Sequence, residues 1–184
     1  MFKFTCGPYT VCLADSLPSM YYSYCQQACL VDTIELEGSL SALCYLSVAR
    51  GHDRPFLIVA QRYSPGPQSG FYPGVLLVPS TKLLLFGAGE RLLAYALDPP
   101  GKLWQYDLTG GFWQWERSQD RIIMSSENEL AVWDTHGQKR WDYFVEPPWH
   151  YTIEEDTIQV HMNGKQTALH RERGMVIEST AVQG

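Results

Sequence analysis

The chain is predicted to be all-β: an incomplete array of repeated antiparallel sheets with one short helix near the N-terminus. Three observations carry this. A single stretch near the N-terminus has the makings of a helix. Short apolar runs broken by Gly, Pro, Asn and Asp fill most of the remainder. The C-terminal half repeats itself at a spacing of 36 residues. A two-sheet sandwich is the alternative architecture for the same strands.

Taken in chain order, residues 16–30 are the one helix candidate. Ser16 stands where it could cap the first turn and Pro18 where the missing N–H costs nothing, although the tyrosines at 21, 22 and 24 favour strands. Residues 42–49 and 55–63 are apolar runs separated by Arg50-Gly51-His52-Asp53, a hairpin-like break, and Ser64-Pro65-Gly66-Pro67 ends the second run. Residues 74–78 with 82–86 read as a hairpin joining this section to the repeats. One domain of 184 residues is expected, with residues 1–80 as an irregular capping region and residues 83–178 as the repeat region. The N-terminal strands are expected to cap or close the array, because exposed sheet edges must be paired or covered.

Within the repeat region, Asp98 and Gly101 recur 36 residues on as Asp134 and Gly137, while Trp104 recurs as Trp141, one residue out of step. Trp113 and Trp115 lie over Trp149 and Tyr151 at the same spacing. A weaker third copy begins at Thr157, where Ile158, Val160 and Met162 alternate with polar residues before Asn163-Gly164, a two-residue hairpin turn. This copy stops near Glu178 without a counterpart of Trp149-His150-Tyr151, so the last unit reads as truncated. A period of this length, made of short alternating strands, suggests a propeller blade or a related stacked sheet. The segments Leu93-Ala-Tyr-Ala-Leu-Asp98…Gly101-Lys-Leu-Trp104 and Leu130-Ala-Val-Trp-Asp134…Gly137-Gln-Lys-Arg-Trp141 resemble the ALD-x-x-G-x-x-W repeat of quinoprotein-type (PQQ-like) β-propellers. The resemblance implies that Asp and Gly shape a turn and that each Trp docks its unit on the next. The quinone cofactor of that family needs a complete ring of blades, which two or three units cannot form, so no cofactor is expected.

Charge narrows the partner. The chain carries 14 Lys+Arg against 20 Asp+Glu, a formal charge of −6, with no basic run, which argues against nucleic acid. Only 18% of residues are charged, while 6 Trp, 11 Tyr and 7 Phe supply enough apolar surface to offset the entropy of ordering. The first eight residues lack the apolar core of a secretory signal, and the longest apolar runs, such as residues 83–89, are too short to cross a bilayer. A cytoplasmic protein without membrane contact is expected. Cys6, Cys12, Cys25, Cys29 and Cys44 are odd in number, form no CxxC pair and precede the first histidine, His52, which favours reduced thiols over disulfides or zinc. Cys25 and Cys29 would share a helix face and pack as small apolar residues.

No motif names a reaction. Gly87-Ala88-Gly89 runs into Glu90-Arg91-Leu92 and another strand, so it reads as a hairpin turn and not as a phosphate loop opening a helix. His52 and Asp53 are the most tempting acid-base pair, but neighbours in a turn usually serve the backbone. Across the Asn163-Gly164 turn His161 faces Gln166 and not His170, which leaves cross-strand metal binding unsupported. No catalytic, cofactor-binding or metal-binding residue is assigned. Trp113 and Trp115 are expected to share one strand face by the period of two, as are Trp149 and Tyr151; these rings either pack between units or anchor a partner. Glu154 and Glu155, beside Asp156, form an acidic turn. The function expected is a non-catalytic protein-binding module, of the kind in which a bacterial immunity or inhibitor protein neutralises a basic toxin or effector. Its contact residues would be Trp113, Trp115, Trp149, Tyr151, Glu154 and Glu155. A carbohydrate- or small-ligand-binding module that stacks sugars on the same rings is the alternative, and an enzyme built around His52 and Asp53 ranks last.

Overall fold

Among the residues that the computed structural model describes, 1–34, 42–65 and 71–181, the chain forms seventeen strands and one helix. Sheet I is built from β1 (Phe2–Cys6), β2 (Tyr9–Ala14), β3 (Leu30–Ile34), β4 (Ala42–Arg50) and β5 (Leu57–Tyr63), in the order β1-β2-β4-β5-β3. Only β3 and β5 pair in parallel. The connection to β3 carries α1 (Tyr21–Cys25). Three four-stranded antiparallel meanders follow, each in sequence order. Sheet II contains β6 (Gly74–Val78), β7 (Leu83–Ala88), β8 (Arg91–Leu97) and β9 (Pro100–Asp107). Sheet III contains β10 (Phe112–Ser118), β11 (Arg121–Ser126), β12 (Glu129–Asp134) and β13 (Lys139–Phe144). Sheet IV contains β14 (Trp149–Ile153), β15 (Thr157–Met162), β16 (Lys165–His170) and β17 (Val176–Ala181).

These sheets stack face to face in a row, and four apolar layers hold them. Tyr21 of α1 packs on Tyr45, Ile58 and Ala60, covering the outer face of sheet I. Leu46, Val48, Leu57 and Val59 meet Leu84, Phe86, Leu93 and Tyr95 between sheets I and II. Leu83, Leu85, Leu92 and Ala94 meet Phe112, Ile122, Met124 and Trp133 between II and III. Ile123, Leu130, Val132 and Trp141 meet Trp149, Ile158, Val160 and Leu169 between III and IV. Sheets II and III are therefore covered on both faces, which explains continuous apolar runs such as Leu83-Leu84-Leu85-Phe86 where one-sided strands would alternate. Sheet IV is covered on one face, and β15 does alternate: Ile158 and Val160 are buried, whereas Gln159 and His161 are half-exposed.

The repeats are propeller-like, and the docking implied for their tryptophans is present. Trp104 Nε1 donates to the Gly137 carbonyl at 2.7 Å, so β9 docks on the β12–β13 turn of the next sheet. Trp141 Nε1 donates to the Arg171 carbonyl at 2.8 Å, docking β13 on the β16–β17 turn. That turn needs Gly174, whose φ is +65° and whose position would put a Cβ 2.6 Å from the Trp141 ring. Asn163 and Gly164 take φ of 52° and 70°, the two positive values of the expected hairpin turn.

Several expectations change. The last unit is not truncated: counted from β14, sheet IV has all four strands, and the apparent truncation came from starting the unit at Thr157 instead of Trp149. The first unit likewise begins at β6, whose hairpin with β7 opens sheet II. Four sheets in a row replace the two of a sandwich. The helix covers only Tyr21–Cys25 of the predicted 16–30; no side chain caps it, and its first N–H donates to the Pro18 carbonyl at 2.9 Å. Cys29 consequently lies outside the helix and is exposed, while Cys25, its last residue, packs on the cluster of Tyr21, Tyr45, Ile58 and Ala60, and all five cysteines are free thiols. No helix among the described residues is long and apolar enough to cross a membrane.

The repeated aspartates also differ. Asp134 Oδ1 accepts the backbone N–H groups of His136 and Gln138, each at 2.9 Å, and its Oδ2 accepts Arg140 at 2.7 Å. Asp98 precedes two prolines that have no N–H to give, and it instead accepts Lys82 at 2.6 Å and faces Arg50 of sheet I at 3.6 Å. Burial opposes ionisation of Asp134, but the two backbone donors and Arg140 outweigh it and hold the carboxyl below its ordinary value. A carboxyl lowered in the folded state contributes stability above its unfolded pKa of about 3.9 and loses it as pH falls through the folded value. Asp134→Asn is expected to cost about 1 kcal/mol at neutral pH, and the gap to wild type should narrow as pH falls below the unfolded pKa of about 3.9. Thermal melts by circular dichroism across that range check it.

Candidate functional site

The aromatic pairs of the sequence lie on β10 and β14, the opening strands of sheets III and IV. Phe112 is locked toward sheet II, because its ring fills the space over Gly87, where a Cβ would stand 2.6 Å from it. Pairing with β11 then skips a residue: Phe112 faces Ser126 and Gln114 faces Ser125, which leaves Trp113 as the extra residue of a β-bulge. The alternation reverses across that bulge. Trp115 joins Phe112 and Trp133 between sheets II and III, whereas Trp113 turns toward sheet IV. The expectation that Trp113 and Trp115 share a face is therefore wrong, and Trp115 belongs to the core.

Trp113 meets β14. Its ring stacks on Trp149 with centroids 5.1 Å apart and an interplanar angle of 23°, and Trp149 lies against Tyr151 at 6.0 Å. Trp149 is 7% exposed, and its Nε1 donates to the Glu127 carbonyl at 3.0 Å, so this residue mainly docks sheet IV on sheet III. Trp113 and Tyr151 remain half-exposed. The Tyr151 hydroxyl donates to Glu116 Oε2 at 2.7 Å and accepts from Gln114 Nε2 at 3.2 Å. Burial, reinforced by the Glu116 carboxylate, pushes the Tyr151 hydroxyl well above its ordinary pKa, so it stays a neutral donor.

Together these groups line a cleft of about 310 Å³: Trp113, Gln114, Glu116, Ser125, Trp149, His150 and Tyr151. Gln114 and Glu116 were not expected to take part. The bulge turns both toward sheet IV, and only its position could have revealed them. Glu154 and Glu155 sit in the exposed turn at the far end of β14, where Glu154 accepts Thr157 and Gln159 and the Glu155 carbonyl accepts the Arg171 guanidinium. They lie outside the cleft. The β11–β12 turn adjoins it through the Glu127 carbonyl that accepts Trp149 Nε1, and Glu146, three residues before Trp149, accepts Asn163 through its carboxylate.

Charge is concentrated around this cleft. Residues 112–162 hold ten acidic and four basic side chains, which accounts for the entire net charge of −6. Three of the four basic residues are engaged: Arg121 with Asp120 and Glu172, Lys139 with Glu129 and Asp142, and Arg140 with Asp134. Among the described residues, Glu116, Glu127, Glu146, Glu154, Glu155 and Asp156 form no ion pair.

His52 and Asp53 occupy the β4–β5 turn and border a separate pocket of about 360 Å³ that also touches Cys12, Tyr45 and Ser47. Among the described residues neither side chain hydrogen-bonds the other or Cys12, so no nucleophile and base are aligned there. His161 lies opposite Gln166, as expected, and its ring also stacks on His150 across β14 and β15 at 4.6 Å. No group of three metal-ligating side chains occurs among the described residues.

No family model and no curated protein sequence matches the chain. Solved structures with a partial likeness include BamB from Moraxella catarrhalis, at 14% identity over 78% of this chain and 47% of that one, with a TM-score of 0.44. The Pan2 WD40 domain from Neurospora crassa aligns at 13% identity over 65% of this chain and 42% of its own, with a TM-score of 0.43. Hsv2 from Kluyveromyces lactis aligns at 11% identity over 59% of this chain, with a TM-score of 0.35, and this chain covers 36% of its length.

Proposed function

We propose that this protein is a non-catalytic protein-binding module of the inhibitor or immunity type, and that it covers a basic domain of its partner with sheets III and IV. The observation that carries the reading is the concentration of all the net negative charge in residues 112–162, where six carboxylates form no ion pair and one of them, Glu116, lines an aromatic cleft. Such an arrangement steers a basic surface toward the protein and fixes its orientation, while half-buried aromatic rings anchor it. Five free thiols favour a reducing compartment, the cytoplasm. The repeats are of the quinoprotein type in their tryptophan docking and serve as scaffold alone. Sugar binding on Trp149 is the weaker reading, because that ring is buried against Trp113 and its N–H is already bonded.

Affinity capture from the source cells tests this. A basic protein should be retained at about 0.05 M salt and released at about 0.5 M, where surface charges are screened within a few ångströms. Retention of a neutral or acidic protein with no response to salt, or of glycans alone, would contradict it.

A further inference from the structure

The cleft between β10 and β14 has a composition that selects one side chain. None of its lining residues is Lys or Arg. Glu116 offers a carboxylate held in place through Oε2 by the Tyr151 hydroxyl, while Oε1 has no partner among the described residues. Gln114 is fixed by its Nε2 on the same hydroxyl, which leaves its carbonyl oxygen as a second acceptor. Trp113 has one face on Trp149 and is half-exposed, so the remainder of the ring is open to the cleft. Glu127 and Glu146 stand on the neighbouring turns, their carboxylates accepting from the Gly111 N–H and from Asn163. Two oriented acceptors beside an indole in a negative field complement a flat cation with several N–H donors. A guanidinium is that group: it pairs with a carboxylate through directed hydrogen bonds and stacks on an aromatic face, whereas an ammonium is a strongly hydrated point charge.

We infer that this cleft receives an arginine side chain of a protein partner, with its guanidinium against Trp113 and paired with Glu116. The inference rests on the protein-binding reading above and adds the residue recognised. Charge complementarity supplies the choice of occupant, since the stretch 112–162 that builds the cleft holds ten acidic and four basic side chains.

The test is a titration of the full chain with N-acetyl-arginine amide, following the indole N–H resonances by NMR. The lysine and citrulline amides and methyl glucoside serve as comparison probes. Arginine amide should shift the Trp113 resonance saturably, lysine amide should bind about threefold more weakly or less, and neutral citrulline amide and glucoside should give no saturable shift. Glu116→Gln keeps an acceptor for Tyr151 but removes the charge, and should weaken arginine amide about tenfold with the fold unchanged by circular dichroism. Equal binding of citrulline and arginine amides, an unchanged Glu116→Gln, or saturation of the same resonance by glucoside would each overturn the inference. If a basic protein is captured in a salt-sensitive way yet arginine amide leaves Trp113 unmoved, this inference fails while the protein-binding reading stands.

Discussion

Trp141→Ala is expected to destabilise the protein by about 3–5 kcal/mol, the range for truncating a large buried aromatic. Three losses coincide at this residue. Its ring is 9% exposed and fills the layer between sheets III and IV. Its N–H is the donor for the Arg171 carbonyl, which would be left buried and unpaired. Its ring also seats Gly174 in the same turn, which carries the Arg171 guanidinium. That guanidinium is itself buried and bridges the two sheets by donating to the Ser118 carbonyl at 2.8 Å and the Glu155 carbonyl at 3.3 Å. Trp141→Phe keeps most of the ring and loses the donor, so a cost of about 1–2 kcal/mol is expected. Trp104→Ala should cost less than Trp141→Ala, because Trp104 is only half-buried, although it stacks on Trp133 at 4.5 Å. Urea unfolding of the three variants gives the ranking. Equal midpoints for Trp141→Ala and wild type would show that tryptophan docking does not hold sheets III and IV together.

Features governed by local chemistry were legible in the sequence. The Asn163-Gly164 turn, the break at residues 50–53 and the 36-residue period follow from residue types along the chain, and the docking of Trp104 and Trp141 from the resemblance to quinoprotein-type repeats. What escaped depends on packing between sheets. Phe112 commits β10 to one face only because Gly74 and Gly87 leave room for its ring in sheet II, and no periodicity within β10 reveals that. The resulting bulge separates Trp113 from Trp115 and brings in Gln114 and Glu116. The first hairpin, β1 with β2, was hidden for another reason: its turn at Gly7 reads as a polar N-terminus, and Tyr9 and Val11 become core only when sheet I lies on sheet II. Asp98 and Asp134 match in sequence but not in role, because Pro100 stands where His136 gives its N–H to Asp134, and Asp98 pairs with Lys82 instead.

The second large effect concerns binding. Glu116→Gln, Glu127→Gln and Glu146→Gln together remove three carboxylates at and beside the cleft without removing side-chain volume. A charge facing a basic surface contributes about 0.7 kcal/mol and the directly paired Glu116 about twice that, so the triple variant should bind a captured basic partner roughly a hundredfold more weakly at low salt. An equal change of charge elsewhere provides the control. Asp15→Asn, Asp53→Asn and Glu90→Gln alter three exposed carboxylates on the sheet I and II side, and should weaken binding by less than about threefold.

The most direct test of the account is therefore the dissociation constant of the captured partner for wild type and for these two triple variants, measured at one low salt concentration. The account predicts a large loss confined to the Glu116, Glu127 and Glu146 variant. A loss of equal or greater size in the Asp15, Asp53 and Glu90 variant would place the contact surface on the opposite end of the stack and contradict it.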